Sequence, residues 1–300
     1  MKQGVFLSVA SSALFATLYY FSTVVEPMSG SSVFAWRIIL GLPMLAIIIS
    51  RARGWPEVRH VMARLRREPK LLVLNLLCAF IIGVQLWLFV WAPVYGYALD
   101  VSMGYFLLPL TMVAVGRLVY NERLSTMQKL ALGFALTGVL HELWLMGSFS
   151  WVTALVALGY PPYFILRRYL RLGSLSTLWL DMVFMSPVAL FLLLNQSVPV
   201  WQEFSGYPRL FVLAPLIALI SSLALAAYLS ASRLLPLGLF GILGYVEPVL
   251  LFMVAVFLLK EPMTAAQWFT YLPIWFAVAM VAFEGLFNWL RNPGTGKARQ

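Results

Sequence analysis

The sequence is short of the residues from which most catalytic and metal sites are made. Its 300 residues hold one cysteine, Cys78, and two histidines, His60 and His141. A lone thiol inside an apolar run excludes a disulfide framework and a thiolate metal site. Two histidines far apart in sequence do not suggest a metal cluster. No phosphate loop, nucleophile elbow or GxGxxG fingerprint occurs, so ATP-driven chemistry by this chain alone, a nucleotide cofactor and an enzyme role are not expected. Charge is scarce as well, at 11% of residues against roughly 25% in a soluble domain. No connection is long enough to fold alone.

What the chain has in abundance is hydrophobic length: 62% of residues are apolar. A bilayer core of about 30 Å takes about 20 apolar residues as a helix, and nearly the whole sequence divides into such runs. They are continuously apolar rather than alternating, which excludes a β-barrel. The pattern predicts an all-α polytopic membrane protein of ten transmembrane helices, at about 4–25, 32–49, 71–92, 99–119, 127–145, 149–166, 176–194, 210–229, 238–259 and 266–287. The first run is preceded only by Lys2 and followed by no clear A-x-A site, so it is a span and not a cleaved signal.

The net charge of +10 does not indicate nucleic acid, because of where the charge sits. Of 21 lysines and arginines, 18 fall at the N-terminus, on alternate connections and on the C-terminal tail, all on one side. Arg209 and Lys260 fall on the other, and Arg37 lies within a span. The positive-inside rule then places both termini in the cytoplasm.

An internal echo organises the chain. At an offset of 139, Pro109 falls on Pro248, Glu122 on Glu261, Leu124 on Met263, Ser125 on Thr264 and Gln128 on Gln267. Self-similarity at a fixed offset marks a duplicated unit. Five spans per half is odd, so the second copy enters the membrane from the opposite face. The expected organisation is a five-helix repeat over 1–146, an inverted five-helix repeat over 147–290 and a basic cytoplasmic tail over 291–300. Secondary transporters use such inverted repeats for alternating access around a site near the midplane.

A second alignment, at an offset of 144, sets Pro43 on Pro187 and Arg37 on Asp181. Charges deep in a span usually face a cavity or a partner, so Arg37 and Asp181 are expected on matched walls of one central cavity. The plain alternative is a structural ion pair, or snorkelling to the interface. Glu247, before the helix-bending Pro248, is the other deep acid. Asp181 and Glu247 are thus the proton-coupling candidates. Asp100, Glu26, Glu142 and His141 lie near span ends and are expected at the interface.

In the third span Ala79, Gly83, Trp87 and Trp91 form one stripe, and their echoes Ala218, Ser222, Ala226 and Ser230 are small. Small residues at this spacing favour close helix packing. The contrast also suggests Trp87 and Trp91 as an aromatic platform for cations or planar groups. Gln85, Tyr105, Tyr163, Tyr228 and Tyr245 are candidate polar handles. Gly159-Tyr-Pro-Pro-Tyr163 predicts a break in the sixth span, and Gly238, Gly241 and Gly244 allow bending in the ninth. These two spans are the expected moving gate.

Several motifs carry a resemblance: Trp36-Arg37, GVQLWLFVWA from Gly83 to Ala92, MGYFLLPL from Met103 to Leu110, the Asn121-Glu122-Arg123 turn and the Asp181 to Pro187 segment. Together they resemble the EamA-type drug/metabolite transporter superfamily, within it the RarD branch, over nearly the full length. The branch commonly has Asn at the positions of Gln85 and Leu108, Glu at Asp181 and Gly at Glu247. The resemblance implies two five-helix halves and export of small organic metabolites, amino-acid-like or amphipathic compounds and drugs among them. The partners implied are a small-molecule substrate, the bilayer and protons, with the protein a monomer or homodimer. Arg37 is suited to fork onto a substrate carboxylate. A different class, a lipid-handling protein or a non-transporting scaffold subunit, predicts deep charges that face lipid or a partner instead of a cavity.

Overall fold

The computed structural model describes residues 2–92, 97–147, 150–254, 257 and 265–291, and every regular element among them is a helix. The expected first span is α1 (Lys2–Val24). The second is interrupted: α2 (Gly30–Ile39) and α3 (Gly41–Arg51) meet at Leu40. Pro43 has no N–H for the carbonyl of Ile39, and the helix yields one residue after it.

The long basic connection over residues 51–70 carries a helix of its own, α4 (Trp55–Arg67). It buries Val58, Val61 and Leu65 at i, i+3, i+7 spacing and leaves Arg59, Arg66 and Arg67 outside. The third to fifth spans are α5 (Pro69–Trp91), α6 (Ala98–Tyr120) and α7 (Thr126–Met146). Asn121, at φ 51°, ends α6 in the left-handed conformation that a helix C-cap uses. Ser125 and Gln128 then open α7 with a reciprocal capping box. The echoing turn at 261–264 lies outside the described residues.

The second half continues with α8 (Trp151–Leu170), α9 (Ser174–Leu194), the short α10 (Val200–Gly206) and α11 (Leu210–Leu234). The break expected at Pro161-Pro162 does not occur, and α8 runs through both prolines. Pro161 leaves the Ala157 carbonyl without its helical donor, but the Thr111 hydroxyl of α6 reaches that oxygen at 2.7 Å. A neighbouring helix thus supplies the bond that proline removes. The ninth span does break. It forms α12 (Leu237–Leu243) and α13 (Val246–Met253), separated at Gly244-Tyr245. The last span is α14 (Ala265–Arg291).

Six segments among the described residues are long and apolar enough to cross a membrane: α1, α2–α3, α5, most of α6, α9 and α11. The remaining expected spans are helical too, as α7, α8, α12–α13 and α14. The chain is a polytopic membrane protein.

The principal helix contacts follow a pattern. Helix α1 packs on α11 as α8 packs on α5, and α6 packs on α8 as α12 and α13 pack on α1. Helix α5 meets α9 as α11 meets α2 and α3, while α2–α9, α6–α12 and α7–α14 pair across the middle. Exchanging the halves maps these contacts onto one another. The short connecting helices follow suit: Trp55 of α4 packs edge-on against Trp179 of α9, and Phe204 of α10 against Trp36 of α2.

Candidate functional site

A cavity lies where these helices converge. Its lining comes from Phe15 of α1, Arg37 of α2, Leu86 and Phe89 of α5, and Tyr105, Leu108, Pro109 and Met112 of α6. Tyr160 of α8, Leu225 and Tyr228 of α11, Phe240, Gly241 and Gly244 at α12, and Glu247 and Pro248 of α13 complete it.

Five pairs in this lining are separated by 139 residues: Leu86 and Leu225, Phe89 and Tyr228, Tyr105 and Gly244, Leu108 and Glu247, Pro109 and Pro248. Equivalent positions of the two halves therefore face one space. Its two walls differ in chemistry, since Glu247 stands where the other half has Leu108.

Arg37 is almost fully buried. Its Nε donates to the Ser221 hydroxyl at 3.0 Å, and its Nη1 has no hydrogen-bond partner among the described residues. A buried guanidinium donor left open is costly, so a site that completes it gains a strong charge-assisted bond. Tyr105 and Tyr160 join α6 and α8 through hydroxyls 3.4 Å apart. Phe15 and Phe240 pack edge-on or tilted against Tyr228. The cavity thus joins one cation, one acid, three phenols and an apolar aromatic wall.

Asp181 is not there. It is fully buried and paired with Arg167 of α8, whose guanidinium also donates to Asn75 Oδ1 at 2.7 Å and lies over the Tyr163 ring. Tyr163 donates to the same Asp181 carboxylate oxygen at 3.4 Å. The expectation that Asp181 faces the same cavity as Arg37 is thereby corrected. Arg167 lies on the neighbouring helix within reach of the acid, and a buried carboxylate takes the cation that neutralises it. The pair clamps α5, α8 and α9, and Tyr163 belongs to it and not to the cavity.

The other predicted handles divide. Tyr105, Tyr228 and Glu247 line the cavity with Arg37. Gln85 does not: its Nε2 donates to the Leu155 carbonyl of α8 at 2.8 Å. Tyr245 is fully buried outside the lining. Trp87 and Trp91 stack on each other at 4.9 Å, and Trp91 stacks on Tyr97 at 5.8 Å, away from the cavity. Successive helical residues turn by about 100°, so the face of α5 presenting Leu86 and Phe89 leaves Trp87 and Trp91 to one side. Sequence reasoning missed Phe15, Tyr160 and Phe240. Applying the offset of 139 to the bulky residues of the third span, and not to its small-residue stripe, marks Phe89 with Tyr228.

Comparison with known proteins fits this arrangement. The model of the EamA-like transporter family matches residues 2–141. The chloramphenicol-sensitive protein RarD of Pseudomonas aeruginosa is 47% identical over 285 residues, covering 94% of each chain. The chain belongs to the EamA-like transporter family, in its RarD branch. Among its relatives, an uncharacterized transporter of Haemophilus influenzae is 38% identical over 289 residues, covering 96% of each chain. Protein RarD of Salmonella typhimurium is 25% identical over 96% of this chain and 97% of its own. A solved crystal structure at 17% identity superposes with a TM-score of 0.69 over 96% of this chain and 99% of its own, a shared fold.

Proposed function

We propose that this family member is a secondary exporter of small organic metabolites, amino-acid-like or amphipathic compounds, in the bacterial inner membrane. It works by alternating access between inverted five-helix repeats at 1–146 and 147–290, with both termini in the cytoplasm. The observation that carries this reading is the cavity lining, in which five residue pairs at one offset face a single space. The exchange pattern of helix contacts supports it, as does the end of the family match at 141, close to the end of the first half.

Arg37 holds the substrate carboxylate through its free guanidinium edge. Glu247 meets a cationic group or exchanges a proton as the substrate leaves. Tyr105, Tyr160, Tyr228 and the phenylalanines enclose the apolar part. Asp181, held by Arg167 and Tyr163, acts on the scaffold.

The test is flux in proteoliposomes, using substrates chosen by comparing metabolites of cells with and without the protein. A charge-assisted hydrogen bond contributes about 1.5–3 kcal/mol, so Arg37→Gln should raise KM for a carboxylate substrate roughly 10- to 100-fold. An imposed pH gradient should drive uphill flux that Glu247→Gln loses. Unchanged flux in Arg37→Gln overturns the assignment, and indifference to the gradient reduces the mechanism to facilitated diffusion.

A further inference from the structure

On one side of the cavity the seam between α6 and α12 is closed by an arrangement that the transport mechanism has not yet used. The Glu122 carboxylate, in the turn after α6, accepts from the backbone N–H of Leu237 through Oε1 and of Gly238 through Oε2, both at 2.7 Å. Arg168, at the end of α8, donates to Glu122 Oε1 at 3.2 Å and to the Leu235 carbonyl at 2.8 Å, and lies over the Tyr120 ring at 4.8 Å. One ion pair thus ties α6, α8 and the α11–α12 junction together.

The seam beneath it is made of glycine. A Cβ on Gly116 would stand 2.7 Å from both Gly238 N and Glu122 Oε2, and one on Gly241 would stand 2.8 Å from Met112 Cβ and 2.9 Å from the Pro109 carbonyl. Backbone therefore meets backbone from the turn down to cavity-lining Pro109, Met112 and Gly241. The three glycines at α12 are not repeated in the other half. At the offset of 139, Gly238, Gly241 and Gly244 correspond to Leu99, Ser102 and Tyr105.

We infer that Glu122, Arg168 and the glycine seam form a one-sided gate, which holds the cavity shut toward the cytoplasm and sets the resting state of the transporter. This rests on the alternating-access reading above and on its cytoplasmic placement of the turn at Glu122. In an inverted repeat the two end states exchange the packing of the halves. A seam with side chains cannot close as tightly as one of glycine, so the two states are unequal in energy. Opening to the cytoplasm requires the carboxylate to give up two N–H donors and an arginine together.

Leu225→Cys in the cavity, on a Cys78→Ala background, reports the gate. Labelling by a membrane-impermeant maleimide is timed in inside-out and right-side-out vesicles. Glu122→Gln cannot accept both N–H groups and keep the ion pair, so it and Arg168→Gln should speed labelling from the cytoplasmic face about tenfold or more, as expected for loss of a charge-assisted bond. Arg168→Lys should fall between them and the parent. Gly241→Ala, which wedges the seam without touching the carboxylate, should act in the same direction and keeps the test valid should the charge variants misfold. Equal cytoplasmic labelling rates in parent and variants overturn the gate alone. A cysteine at 225 that labels only after unfolding, in every variant and from either face, overturns the transport reading and the gate with it.

Discussion

At the scale of residues, two buried arginines with different partners divide the labour. Among the described residues Arg37 donates to Ser221 and leaves its Nη1 unpaired, while Arg167 is engaged by Asp181, Asn75 and Tyr163. Removing one member of a buried pair leaves an uncompensated charge, which costs about 3–5 kcal/mol. Asp181→Asn is therefore expected to lower unfolding temperature in detergent strongly while leaving KM of the surviving protein unchanged. A raised KM with unaltered stability would return Asp181 to the substrate site. The sequence made Arg37 and Asp181 legible as deep charges, since any charge within a span is conspicuous. It could not give Asp181 its partner, because Arg167 reads as one of the flanking cations after the sixth span and nothing local shows that its side chain turns inward to Asp181.

At the scale of elements, proline is the least legible signal. Pro161-Pro162 predicted a break and leaves α8 intact, whereas Pro43 interrupts the second span. In α8 a neighbouring helix completes one of the carbonyls that the prolines free. Thr111 does so for Ala157. Thr111→Val keeps the shape and removes the hydroxyl, leaving a buried acceptor unpaired at about 1–3 kcal/mol. Hydrogen exchange should show faster opening of α8 around residues 157–162 in this variant, with α7 and α14 as unaffected references. Identical protection would mean that the helix tolerates its prolines without Thr111. The amphipathic α4 was hidden for a different reason. Its seven-basic neighbourhood drew attention to charge, while the stripe Val58, Val61 and Leu65 that folds it onto α5 and α9 is only three residues long.

At the scale of the whole molecule, the echo at an offset of 139 extends from the sequence into the cavity lining. The helical, polytopic character and the echo at 139 were readable because helix length and a fixed offset survive divergence of the intervening residues. The site was half readable. The echo identifies which positions correspond, but which face of each helix meets the cavity depends on packing angles that sequence does not carry, as Trp87 and Trp91 show. Phe89 and Tyr228, equivalent across the halves and lining the same space, offer the most direct measurement. With Cys78 replaced by Ala, Phe89→Cys and Tyr228→Cys should each be modified by an impermeant thiol reagent from both faces of the membrane, and Asp181→Cys from neither. Modification of 89 from one face only and of 228 from the other only, or of both solely by a lipid-soluble reagent, would contradict a shared cavity that opens alternately to the two sides.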